Sequence, residues 1–231
     1  MKARFACLIL FTVATVIVRA QQKDQKEFTE SFMLDSCTLE TTGRNNYFIL
    51  EPGYQLTFEG TDKKGTTKLI ITVLHETRKI RGVETRVVEE HEILNGKTIE
   101  ISRNFFVLCK QSGTIFYFGE DVDNYRDGKI VDHESAWLAQ GKNKPGIMMP
   151  GLLLIGARFY NEMAPGVAMD RLEIISTTEK ITTPAGTFSN CIKMEETTPI
   201  EPKAKDYKVY APGIGLVKDG ELLLTKYGYI K

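Results

Sequence analysis

From Tyr47 onward the chain alternates short runs rich in Val, Ile, Thr, Phe and Tyr with compact turn signals. The signals are Lys64-Gly65, Arg81-Gly82, Asn95-Gly96, Ser112-Gly113, Asp127-Gly128 and Asp219-Gly220. Glycine at the second central position supplies the positive φ that tight two-residue hairpins demand. No stretch sustains a helical period. The pattern predicts an all-β fold: an antiparallel meander forming a curved sheet, half-barrel or barrel. Residues 141–156 contain Lys144-Pro145-Gly146 and Met149-Pro150-Gly151, which should break any strand and form a long mid-chain loop across one end of the sheet. Strands are expected to resume at 157–162, 171–178, 187–196, 207–210 and 221–227.

The N-terminus has a different texture. Lys2 and Arg4 precede an apolar run over residues 5–18, and Ala20 precedes Gln21-Gln22. This is the layout of a secretory signal peptide over residues 1–20. The run is shorter than the roughly 20 residues needed to cross a bilayer, and no later segment is long and apolar enough to do so. Residues 21–46 read as a polar lead-in, loose or weakly helical around Phe32-Met33-Leu34. Residues 47–231 then form a single β-rich domain. The expected localisation is secreted or periplasmic.

Charge and cysteine narrow the function classes. The chain balances 30 basic against 30 acidic residues; removing Lys2, Arg4 and Arg19 leaves 27 basic, so the mature form is slightly acidic. Phosphate backbones demand a basic excess, so nucleic acid is excluded as a partner. Cys37, Cys109 and Cys191 remain after processing. Export permits one disulfide, with the choice among three pairings open. There is no CxxC, hence no sign of a redox pair or thiolate zinc site.

If the turn signals close two-residue hairpins, strand pairing runs outward from them in fixed register. His75 then falls opposite Val88, Arg86 opposite Phe105, Phe105 opposite Glu120, and Phe118 opposite Trp137. Opposed residues share a face and neighbours alternate. One face should therefore carry Arg86, Arg103, Phe105, Glu120, His133 and Trp137 among apolar neighbours. Charges on an apolar face are costly unless they are paired or meet a ligand. These six residues are the candidate binding site for a small amphipathic or lipid-like ligand on a concave sheet face. A second reading makes the same face a hydrolase-like groove, with Glu120 and His133 as acid and base. In a third, the charged residues only hold a structural or interaction module together.

Other chemistry finds less support. His75, His91 and His133 each precede a glutamate, but this register puts His91 on the opposite face from the other two, against a shared metal. Asp121, Asp123 and Asp127 offer calcium-type oxygens, although the spacing does not fit an EF-hand loop. No Gly-x-Ser-x-Gly elbow and no glycine-rich phosphate loop occur. No catalytic residue, metal site or cofactor is assigned, and oligomeric state is not legible.

Three motifs carry a resemblance: Tyr47-Phe48-Ile49-Leu50-Glu51-Pro52-Gly53-Tyr54, Pro184-Ala185-Gly186-Thr187-Phe188, and Tyr210-Ala211-Pro212-Gly213-Ile214-Gly215-Leu216-Val217. With residues 119–125 and 160–170, they resemble secreted bacterial β-rich proteins over most of the mature chain. The resemblance implies a curved or half-barrel sheet similar to lipoprotein-carrier and lipocalin-like folds. It brings no reaction and no catalytic residue.

Overall fold

The computed structural model describes residues 27–230; the expected signal peptide lies outside them. The first five strands of the main sheet are β1 Tyr54–Asp62, β2 Gly65–Ile80, β3 Val83–Leu94, β4 Lys97–Cys109 and β5 Ile115–Arg126. The mid-chain region adds β6 Lys144–Met149, β7 Arg158–Tyr160 and β8 Glu162–Met163. The rest is β9 Arg171–Thr183, β10 Gly186–Thr197, β11 Lys205–Ala211, β12 Gly215–Asp219 and β13 Leu222–Tyr229. All pairings among these strands are antiparallel, and the order is β7-β9-β10-β11-β12-β13-β1-β2-β3-β4-β5-β6-β8. Strands β7 and β8 are separated only by Asn161, so the sheet curls into a nearly closed barrel with one unsealed seam.

Local sequence explains the hairpins. Arg81-Gly82 and Asn95-Gly96 both have two positive φ values, +48° and +87° in the first and +52° and +79° in the second. They close β2–β3 and β3–β4 as expected, matching the right-handed strand twist. Asp127-Gly128 joins β5 to a short strand, Lys129–Asp132. Two signals are displaced by one residue. Asp62 pairs with Gly65 and Asp219 with Leu222, so the turns are Lys63-Lys64 and Gly220-Glu221. Ser112-Gly113 sits in a longer loop, closed where the Cys109 N–H donates to the Thr114 carbonyl at 2.8 Å.

The mid-chain stretch differs from the expected loop, because β6 is a strand despite Pro145. Lys144 and Pro145 pair only with the two-residue edge strand β8, where a missing N–H costs little. From Gly146 the strand pairs with β5. Residues 150–156 form no strand, and Gly151 lies against the Ser112 carbonyl.

The lead-in is likewise more ordered than expected. Thr29 bridges Phe159 on the free edge of β7, and Phe32 stacks near Phe116 with ring centroids 6.2 Å apart. After a 3-10 turn at Leu34–Ser36, Cys37 is disulfide-bonded to Cys109, and Leu39–Glu40 pairs with Cys109 and Leu108. Residues Gly43–Asn45 and Phe48–Leu50 form a separate two-stranded ribbon. The segment thus packs Phe32 against Phe116, and the ribbon packs Phe48 against Phe106 with ring centroids 5.5 Å apart. Among the described residues, Cys191 is the buried free thiol.

Candidate functional site

Bulges decide which side chains enter the barrel. The β2–β3 ladder slips between Val73 and Thr77, so Val88 faces Val73 rather than His75. The β3–β4 ladder slips between Glu92 and Ile93, which puts Arg86 opposite Phe106 and Val87 opposite Phe105. The β4–β5 ladder slips between Asn104 and Phe106, so Glu120 meets Asn104. Trp137 falls opposite Glu120 instead of Phe118. Each extra residue turns the side chains beyond it to the other face.

The six expected site residues therefore do not form one face. Arg86, Glu120 and Trp137 belong to the inner row, whereas Arg103 and Phe105 alternate onto the outer face. Arg86 is buried and ends at structural acceptors. Its guanidinium donates to the carbonyls of Thr41, His75 and Glu76 at 2.9, 2.7 and 3.2 Å, and to the Thr42 hydroxyl at 2.9 Å. Arg103 is half-exposed and pairs with Asp123 at 3.0 Å and Glu89 at 3.7 Å. Phe105 is buried beneath the Arg78 guanidinium, 4.7 Å from the ring centroid. His133 is largely exposed, with Nδ1 2.7 Å from the Val122 carbonyl and 3.0 Å from Asp123. Residue alternation places Asp123 and Glu120 on opposite faces of β5, so His133 and Glu120 share no groove. The three aspartates considered for calcium are spread over separate ion pairs: Asp121 with Arg78, Asp123 with Arg103, and Asp127 with Lys97.

What the barrel does enclose is a half-buried polar cluster with an apolar chamber above it. A cavity of about 90 Å³ is walled by Phe48, Leu56, Ile71, Val73, Val88 and Phe106, and floored by Glu90, Lys208, Tyr210 and Asp219. Strand pairing brings the floor together: Lys208 lies opposite Asp219, and Ile71 opposite Glu90. The Lys208 ammonium is 2.7 Å from Asp219 and 3.6 Å from Glu196. Tyr210 is 1% exposed, and its hydroxyl has no hydrogen-bond partner in the protein. Burial pushes the Tyr210 hydroxyl up, Lys208 opposes this, and the Asp219, Glu196 and Glu90 charges add to it.

At one end of the lumen a second, more open cavity of about 320 Å³ is lined by Glu100, Glu120, Glu162, Asp170 and Thr198. The four acidic residues are half-buried. Burial is the first cause of their upward shifts. It lifts Glu120 to about 8, with the Glu90 and Glu100 charges adding to it, and pushes Glu162 and Asp170 up as well. Deeper in, burial lifts Glu90 to about 7 and Glu196 to about 6, Lys208 working against it in both. The Lys208 ammonium is opposed by burial, yet Asp219 and Glu196 hold it well above the ordinary lysine range. Trp137 is 4% exposed beside this region, with its ring 5.3 Å from Tyr117 and its Nε1 lacking a protein acceptor.

The pairing rules reach Glu120 and Trp137 but miss Glu90, Lys208, Tyr210 and Asp219. A signal for Lys208 and Tyr210 exists. Ile192 and Met194 alternate along β10 against Tyr210 and Lys208 on β11, so a lysine sits beside apolar residues in that row. Comparison with family models, with curated proteins and with solved structures finds no match to this chain.

Proposed function

We propose that this chain is an exported binding protein that holds a small amphipathic molecule inside its barrel. The apolar body of the ligand would occupy the chamber between Phe48, Leu56, Val73, Val88 and Phe106. Its polar end would meet Glu90, Lys208, Tyr210 and Asp219. The observation that carries this reading is Tyr210, which lines the cavity and whose buried hydroxyl has no protein partner. An unsatisfied buried hydroxyl costs about 1–3 kcal/mol, so a ligand group that bonds to it recovers energy the fold alone leaves unspent. An apolar pocket with a few convergent polar groups is the usual form of a small-molecule site.

Two further observations support it. The Cys37–Cys109 disulfide suits an oxidising compartment outside the cytoplasm. The motif resemblance to carrier-type and lipocalin-like sheets points the same way. Native mass spectrometry of protein exported by its own host tests the reading against Val88→Phe, which fills the chamber. A discrete adduct on the wild type, lost from a Val88→Phe variant that melts normally, is expected. Its absence from the wild type, or its survival in the variant, overturns the proposal.

A further inference from the structure

Resting on that reading, we infer that the polar end of the ligand is a cationic ammonium group, carried on a short apolar chain. The charges on the cavity walls are unequal. Among the described residues, Lys208 is the single basic side chain lining either cavity, and it is already matched by Asp219 at 2.7 Å and approached by Glu196 at 3.6 Å. Glu90 shares the cavity floor with this pair, leaving carboxyls in excess beside the Tyr210 hydroxyl. The second cavity adds Glu100, Glu120, Glu162 and Asp170, all acidic, and no basic residue.

Three headgroup classes meet this surface differently. A carboxylate or phosphate would be driven into low dielectric beside Asp219 and the ionised fraction of Glu90, with Lys208 already paired, which is unfavourable. A neutral hydroxyl would gain one hydrogen bond to Tyr210 and leave the carboxyl excess uncompensated. An ammonium can donate to the Tyr210 oxygen and to Glu90 together, and charge-assisted bonds are roughly twice as strong as neutral ones. Glu90 interacts with Asp219, Glu92, Glu100 and Glu120 on the acidic side, with Lys208 on the basic side, and with the Tyr117 and Tyr210 phenols. A second cation here favours its ionised form, so binding near neutral pH should release protons.

Isothermal titration of the whole mature protein at pH 7 with hexylamine, hexanol and hexanoate is the test, run in two buffers of different ionisation enthalpy. Hexylamine should bind at least tenfold more tightly than hexanol, with proton release seen for the amine alone, and hexanoate should not bind. Glu90→Gln should cut hexylamine affinity at least tenfold, abolish the proton release and leave hexanol unchanged. Equal or tighter binding of hexanol or hexanoate overturns the ammonium assignment while leaving an amphiphile site in place. Failure of all three to bind, or to be displaced from the chamber by Val88→Phe, overturns both.

Discussion

The Arg86 guanidinium donates to the His75 carbonyl at 2.7 Å, inside the bulge that interrupts the β2–β3 ladder. A bulge leaves backbone acceptors without ladder partners. Here one buried side chain satisfies them, and it ties Thr41 and Thr42 of the lead-in to the same point. Burial pulls the Arg86 pKa down, consistent with a cation held by carbonyl dipoles rather than by a carboxylate.

Arg86→Ala should therefore destabilise the fold by about 3 kcal/mol or more, since several buried acceptors lose their donor at once. Arg86→Lys should recover only part of this, because an ammonium lacks the planar fork that reaches both strands. Urea denaturation of the two variants checks the order.

The Cys37–Cys109 bridge joins residues 72 apart and clamps the lead-in to β4. A double Cys37→Ser, Cys109→Ser variant should lose about 2–4 kcal/mol, from the greater freedom of its unfolded chain. Its lead-in should become the first site of proteolysis. Cys191 is fully buried, so a maleimide should label it only after unfolding. Mass spectrometry after limited digestion and labelling reads both outcomes.

The strands were legible because turn chemistry and period-2 alternation are local properties. Arg81-Gly82 and Asn95-Gly96 gave correct hairpins because both of their central residues tolerate positive φ. The site was not legible for the same reason. Bulges at residues 74–76 and around Glu92 and Phe105 respond to packing across the sheet, and each moves the side chains beyond it to the opposite face. Arg103 and Glu120 were thus expected together yet lie on opposite sides of the wall. The partners of Glu90 come from β11 and β12, more than a hundred residues on, where no hairpin register carries the pairing across.

Gly119 is the residue that makes the β5 bulge possible. Its φ is +113°, and a Cβ there would stand 2.2 Å from the Trp137 carbonyl oxygen. Gly119→Ala should push Trp137–Leu138 off β5, at a cost of about 2–4 kcal/mol from strain and lost packing. A fall in melting temperature with a red shift of the emission of Trp137, the single tryptophan, is the expected result.

Glu120 should make stability depend on pH with an unusual sign. Burial, aided by the Glu90 and Glu100 charges, lifts its carboxyl to about 8 in the folded protein, while the neighbouring Tyr117 hydroxyl pulls the other way. The unfolded chain has an ordinary carboxylate, near 4.3. Between these values the folded state binds more protons than the unfolded one, so stability falls as pH rises. The contribution of Glu120 is complete below about pH 4 and is lost as pH climbs through about 8. Glu90, at about 7, and Glu196, at about 6, act in the same direction. Glu120→Gln keeps a neutral polar group of similar shape opposite Asn104. It should match the wild type at pH 5 and exceed it by ~1–3 kcal/mol at pH 9, since each tenfold change in proton affinity is about 1.4 kcal/mol. Urea denaturation of both proteins at the two pH values measures the difference. An unchanged gap between pH 5 and pH 9 would show that Glu120 reaches bulk water in the folded state.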